Sequence, residues 1–343
     1  MRVLVVGGGA VGSLLAWTLR SGGAQVWVAR RRHQGPAMAA PLVVADRGGA
    51  ARSLGITVVG RPDELETAPD LIVFAVKMFD LPGAVTSCGA WRDVPALTVQ
   101  NGIGAELLVA RARPQAGLIA GSLTASVEAA EDGGWRRRTR GGLGLAQVEG
   151  RVGSMIEELA ELLEAGGLST QTYDDPMAMK WSKLVGNLAA NATAALLDYD
   201  PGRIYRHRRL FLVERAQVLE CLAVMARLRL RPVALPGADI PLLARAFRLP
   251  PWLGRPILAP IMARARGGKD PSLRLHARGE GGRSEVDWLN GAVVKAGRSS
   301  GIETPVNRRL AELVNEALTD PGRRAWFRHR PSRLVEAVGL PQL

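Results

Sequence analysis

MRVLVVGGGAVGSLLAWTLRSGG, residues 1–23, admits two readings. One basic residue followed by an uncharged apolar run is how a secretory signal peptide begins, but such a peptide needs an unbroken apolar segment and a small-residue cleavage site. Gly7, Gly8 and Gly9 stand in the middle of this one. Three glycines in a row break a helix, because each loses more backbone freedom on ordering than any other residue. The second reading accounts for the whole stretch. RVLVV is a short apolar run of the kind buried in a parallel sheet. GGGAVG sets Gly7, Gly9 and Gly12 in the spacing G-x-G-x-x-G. SLLAWTLRSGG has helical spacing and a glycine stop at Gly22-Gly23, and AQVWVAR is a second apolar strand.

Strand, glycine turn, helix, strand is the opening unit of a dinucleotide-binding domain. Gly7 permits the tight turn, Gly9 lets backbone approach a pyrophosphate, and Gly12 lets the helix pack on the strand. The helix N-terminus offers free N–H groups and a positive dipole end to the anion. An acid at the end of the second strand would bind a ribose 2′-hydroxyl. The chain has VARRRHQ there. Arg30 or Arg31 can pair with a 2′-phosphate instead, so the expected cofactor is NADP(H), with the choice between the two arginines open.

Beyond this unit, strands and helices alternate to about residue 172. ITVVG, LIVFAVK (71–77) and ALTVQNGIG read as strands, the last running into a glycine turn. GLIAGSLTASVEA, GGLGLAQV and LSTQTY read as further strands, and GSMIEELAELLEAGG as an amphipathic helix. Alternation of this kind predicts an α/β, doubly wound Rossmann-type domain over 1–172, with ligands at the carboxyl ends of its strands. Gly7 to Gly12, Lys77 and Asn101 all fall at such ends. From about 173 the strand signal stops, and DPMAMKWSKLVGNLAANATAALLD, LFLVERAQVLECLAVMARL and RSEVDWLNGAVVKAGRSSG read as helices. A mostly α-helical second domain over 173–343 is the expectation. The basic tail GRRAWFRHRPSRLVEAVGLPQL is expected to be a surface-packed helix.

Composition narrows the function. At 343 residues the chain exceeds one ordinary core. Forty-five Lys and Arg against 32 Asp and Glu leave a net charge of +13. The cations are scattered and aromatics are only 5%, which leaves little for stacking on nucleic acid bases. Most of the charge reads as solvated surface, with a minority serving an anionic ligand. No stretch reaches the roughly 20 apolar residues of a membrane span. Cys88 and Cys221 lie far apart, with no metal-ligand spacing, so neither a disulfide framework nor a metal site is expected, and two inert thiols fit a reducing cytoplasm.

In KLVGNLAAN, Lys183, Asn187 and Asn191 recur at i, i+4 and i+8, which on one continuous helix lines a single face. Asparagine suits an exposed helix interior poorly, so this stripe predicts a polar cleft. With GGGAVG, FAVK, VQNGIG, KLVGNLAAN and SEVDWLNGAVV…GIETPVN in this order, the chain resembles the ketopantoate reductase (2-dehydropantoate 2-reductase) family over nearly its whole length. The resemblance implies NADPH-dependent reduction of a 2-keto acid, ketopantoate first, to a 2-hydroxy acid. It assigns Lys183 as the proton donor to the carbonyl oxygen and Glu285 as the supporting carboxylate. Asn187, Asn191 and Ser272 become substrate contacts, Asn101 stands at the junction of cofactor and substrate, and Lys77 lies near the nicotinamide. A homodimer through the helical domain is compatible with it. His276 stands where close relatives carry Asp, and the stretch before Glu285 is longer and richer in glycine, so the substrate pocket departs from the pantoate pattern.

The chemistry suits these residue types. Carbonyl reduction needs a hydride donor and a proton donor aimed at the developing oxyanion, and a partly desolvated lysine can supply the proton. Neither Tyr173, Tyr199 nor Tyr205 has a lysine four residues on, and no phosphate-binding G-x-x-x-x-G-K-[ST] loop or HExxH occurs. The remaining alternatives are a reductase of another 2-oxo acid or carbonyl compound and a non-catalytic NADPH-binding regulator. A regulator has no need of Lys183 and Glu285.

Overall fold

The structure is a computed structural model. It describes residues 1–31, 33, 35–45, 49–131, 133–150, 152–264, 272–275 and 284–339. The chain divides into two compact units, one of residues 1–100, 104–180 and 235–238, the other of residues 101–103, 181–234 and 239–343.

The first unit is built on eleven strands: β1 (Arg2–Val6), β2 (Gln25–Ala29), β3 (Met38–Ala45), β4 (Ala51–Val59), β5 (Leu71–Phe74), β6 (Ala96–Thr98), β7 (Leu118–Leu123), β8 (Val127–Ala129), β9 (Trp135–Arg137), β10 (Leu143–Glu149) and β11 (Thr170–Tyr173). They lie in one sheet in the order β11-β10-β7-β6-β5-β1-β2-β4-β3-β9-β8. β1 pairs in parallel with both β2 and β5. The strand order therefore reverses at β1, and a doubly wound sheet opens its ligand crevice at the carboxyl end of such a switch. Four helices accompany the sheet: α1 (Ala10–Ser21), α2 (Leu81–Ser87), α3 (Ala105–Ala112) and α4 (Met155–Ala165). Leu14, Leu15, Trp17 and Leu19 bury one side of α1, at roughly 1.5–3 kcal/mol for each large apolar side chain. The α/β character read from the sequence is thus present, with β3, β4 and β9 forming an additional mixed edge. LIVFAVK is shorter as a strand than its composition indicated. β5 ends at Phe74, and Lys77 lies beyond it, immediately before a 3-10 turn over Met78–Asp80.

The helix α5 (Pro176–Leu188) runs from the first unit into the second. The second unit continues with α6 (Ala192–Leu197), α7 (Pro201–Arg206), α8 (Arg208–Arg227), α9 (Ile240–Arg248), α10 (Pro251–Arg264), α11 (Ser272–Leu275), α12 (Asn290–Ser300), α13 (Pro305–Thr319), α14 (Pro321–Phe327) and α15 (Pro331–Val338). Its core is centred on α8, whose Leu210, Phe211, Val218, Leu222 and Met225 are buried. The basic tail is two short helices rather than one, and Phe327 and Leu334 are fully buried. Among the described residues no helix is long and apolar enough to cross a membrane.

Candidate active site

In the first unit, the glycine turn after β1 is shaped by close approach. Gly7 has φ +114°, and a Cβ there would meet the Ala75 backbone at 2.9 Å. A Cβ on Gly12 would lie 1.8 Å from the Gly7 carbonyl oxygen. Gly9 differs, for a Cβ there would point into open space. Its residue caps α1 without any side-chain hydrogen bond. The turn thus presents bare backbone and the free N–H groups of a helix start, the arrangement that receives a phosphate.

The arginines after β2 separate. The Arg30 side chain lies against the turn, with its Nε 2.6 Å from the position a Gly8 Cβ would take. That Nε is buried and has no hydrogen-bond partner among the described residues. Arg31 is 88% exposed and faces Asp80 at 3.6 Å. A buried, unsatisfied guanidinium N–H beside a glycine turn fits a phosphate-bearing dinucleotide.

At the ends of β5 and β6, Gln100 donates through Nε2 to the carbonyls of Phe74 (2.7 Å) and Val76 (3.1 Å). Its own carbonyl accepts from Lys180 Nζ at 2.7 Å. Lys180 also pairs with Glu106 Oε1 at 3.0 Å, and Glu106 accepts from Thr98 Oγ1 at 2.9 Å. None of these four residues was singled out from the sequence. A lysine in an apolar helix and a glutamate two residues past NGIG carry no local signal of burial.

In the second unit, Asn187 Nδ2 donates to Asn101 Oδ1 at 3.2 Å. This bond spends one donor of Asn187 and one acceptor of Asn101, so each amide keeps further capacity for a ligand. The segment holding Asn101 is locked to the turn that follows Glu285. Ile103 N donates to the Trp288 carbonyl at 3.1 Å, and Gly102, at φ +86°, passes so close that a Cβ would sit 2.2 Å from the same oxygen. Glu285 is buried and precedes a 3-10 turn over Val286–Trp288, so SEVDW is a turn and α12 begins only at Asn290. Lys183 is half-buried on α5, one turn before Asn187. Asn101, Asn187 and the Glu285 turn are therefore linked within one unit.

Asn191 does not belong to that stripe. α5 stops at Leu188, Ala190 takes φ 52°, and Asn191 starts α6. The cause is Glu214, fully buried on α8, which accepts from Ala190 N (2.6 Å), Thr193 Oγ1 (2.6 Å) and Tyr205 Oη (3.2 Å). A carboxylate with three donors captures the backbone at the break and outweighs the strain of a left-handed alanine, about 1–3 kcal/mol. Burial raises the Glu214 pKa above the ordinary carboxylate value, and its hydrogen bonds offset only part of that. Asn191 itself is buried, and its Oδ1 accepts from Leu273 N at 3.1 Å. It thereby holds α11, which Arg274 also ties to Asp198 at 2.9 Å. Ser272 opens α11, and its side chain lies outside the description. His276 lies outside the described residues.

GIETPVN serves the core. Glu220 on α8 accepts from Val306 N and Asn307 N at the start of α13, and Asn307 Oδ1 and Gln217 Oε1 accept from Asn290 Nδ2. Among the described residues no group of three metal-ligating side chains occurs.

Residues 3–150 match the family described as Ketopantoate reductase PanE/ApbA, and residues 175–317 match Ketopantoate reductase PanE/ApbA C terminal. A 2-dehydropantoate 2-reductase of Halobacterium salinarum is 28% identical over 333 residues, which cover 93% of this chain and 100% of that protein. One from Archaeoglobus fulgidus is 26% identical over 313 residues, 91% of this chain and 96% of that one. A crystal structure of a PanE/ApbA family ketopantoate reductase from Ralstonia eutropha JMP134 superposes with a TM-score of 0.75 at 26% identity, covering 93% of this chain and 99% of that chain. A D-mandelate dehydrogenase in ternary complex with NADH and anilino(oxo)acetate has a TM-score of 0.76 at 20% identity, with coverage of 93% and 99%, a likeness of fold.

Proposed function

This chain belongs to the ketopantoate reductase family, oxidoreductases acting on 2-keto acids, and on that premise we propose that it reduces 2-dehydropantoate to pantoate with NADPH. The observation that carries the reading is the linkage of Asn101, Asn187 and the Glu285 turn within one unit, with Lys183 one helical turn away on α5.

NADPH supplies the hydride when bound. The residues that would hold it are the Gly7–Gly12 turn, with its bare backbone, and Arg30, whose buried N–H lacks a partner. Lys77, after β5, completes the nicotinamide side of this assignment. The Lys183 ammonium donates its proton to the substrate's carbonyl oxygen as that oxygen becomes an alkoxide, so no free alkoxide is formed. Glu285 supports the charged lysine. Asn101 and Asn187 orient the carboxylate and carbonyl without adding charge, which lowers the barrier by positioning. Ser272 contributes to the carboxylate from the start of α11.

The test is NADPH oxidation, followed by absorbance, with ketopantoate against a panel of 2-keto acids. Preference for ketopantoate supports the assignment. Lys183→Ala is expected to lower kcat by about 10²–10⁴-fold with NADPH affinity unchanged. A parallel loss of NADPH binding removes lysine from the proton-donor role.

A second reading, reduction of a different 2-keto acid by the same chemistry, is favoured by Asn191. Its Oδ1 is taken by Leu273 N, and with His276 in the sequence close by, the pocket differs from the pantoate pattern. Higher kcat/KM with another acid on the panel selects this reading.

A further inference from the structure

We propose that Lys180, with Glu106 as its counter-ion, is a positioning residue that fixes the Gln100–Asn101 peptide and thereby sets the Asn101 amide for the reduction proposed above, on which this inference rests.

α5 carries two lysines, 180 and 183, and the first is only 3% exposed. An ammonium group has three protons. Lys180 Nζ has three acceptors around it: the Gln100 carbonyl at 2.7 Å, Glu106 Oε1 at 3.0 Å and the Gly121 carbonyl at 3.4 Å. It has no donor left for a substrate, so its work is on the protein. Glu106, 12% exposed, is held in turn by Thr98 Oγ1.

The two carbonyls locate that work. β6 pairs with β7 only from Ala96↔Leu118 to Thr98↔Ala120. Gln100 and Gly121 lie just past the end of this ladder, where no strand partner orders the backbone. Lys180 bridges them in place of the missing rungs. The Gln100 side chain fastens the same residue to Phe74 and Val76. Gln100 is thus clamped by its carbonyl and by its side chain, and the next residue is Asn101, which meets Asn187.

Stability alone does not require an ion pair here. Replacing a buried pair by apolar residues of like volume is often neutral or stabilising, whereas removing one partner costs about 3–5 kcal/mol. What an apolar pair lacks is directional bonding to two strand-end carbonyls. A displacement of about 1 Å at a positioning group can cost on the order of 10²-fold in rate.

Lys180→Met with Glu106→Gln removes the pair without leaving a buried charge, and Lys180→Arg keeps it. The paired variant is expected to fold and to bind NADPH within about twofold of the parent, while kcat/KM for the preferred 2-keto acid falls at least about tenfold. Lys180→Arg should recover part of that loss. Asn101→Ala added to the paired variant should cost little more than Asn101→Ala alone, since both remove one device. Hydrogen exchange at residues 100–104 should quicken in the paired variant, a readout independent of turnover. Unchanged kinetics, unchanged exchange, or losses that add fully with Asn101→Ala would overturn the proposal. Absence of turnover in the parent protein would strike the functional reading instead, and the exchange measurement would still decide whether Lys180 orders this peptide.

Discussion

Arg30 and Arg31 are neighbours in the chain with different surroundings. Arg30 covers the glycine turn with a buried, unpartnered Nε, while Arg31 extends into solvent towards Asp80. An exposed ion pair of the second kind contributes about 0–1 kcal/mol. A hydrogen bond to a charged group contributes about 1.5–3 kcal/mol, which corresponds to roughly 10–100-fold in affinity. Arg30→Ala is therefore expected to narrow the preference for NADPH over NADH by about that factor, and Arg31→Ala by less than about threefold. Titration of both nucleotides against both variants checks this, and an equal effect of the two substitutions would move the 2′-phosphate elsewhere. The thiols are quiet by the same kind of argument. Burial pushes Cys88 up to about 11 and raises Cys221 further, so neither is a thiolate near neutral pH.

At the scale of elements, the break between α5 and α6 is the feature with the largest consequence. It frees Asn191 from the Lys183–Asn187 face and turns it to α11. Glu214 holds the break, and its raised pKa gives the effect a pH signature. A carboxyl whose folded pKa exceeds its unfolded one, about 4.3, contributes stability that is complete below the unfolded value and lost as pH rises through the folded value. Glu214→Gln turns an acceptor oxygen into a donor facing Ala190 N or Thr193 Oγ1, at a cost of about 1–3 kcal/mol. The variant carries no titrating group at 214. The stability gap between parent and variant should thus be widest near pH 4 and narrow as pH rises. Chemical denaturation across that range measures it, and a gap independent of pH would refute the raised pKa.

For the whole molecule, two compact units and a net charge of +13 frame what a bound nucleotide does. A ligand that binds only the folded state at about 100 times its Kd adds about 2.7 kcal/mol. For a chain of this length that corresponds to a Tm rise on the order of 4 °C. NADPH at that level should raise Tm by this amount, and NADH at equal concentration by less. A thermal scan with no NADPH shift would remove the nucleotide site from the glycine turn.

The opening βαβ unit, the alternation through residue 172 and the helical remainder were legible in the chain because local periodicity determines them: β-branched runs, glycine stops and apolar spacing act over a few residues. Gly7, Gly9 and Gly12 could be read for the same reason, since a tight turn leaves its mark in adjacent positions. The family resemblance marked Lys183, Asn187, Asn101 and Glu285, and the structure places Asn101 against Asn187. What tertiary structure decided lies at long sequence separation. No local pattern told that Glu214 would stop α5 at Leu188, that Asn191 would hold Leu273, or that Asn290 and Asn307 of the SEVDW and GIETPVN segments would serve a buried polar network with Gln217. Nor did it single out Lys180, whose partners Glu106, Gln100 and Gly121 come from distant parts of the chain. A buried polar group must find its partner wherever the fold brings one, and that partner is set by packing rather than by the residues on either side.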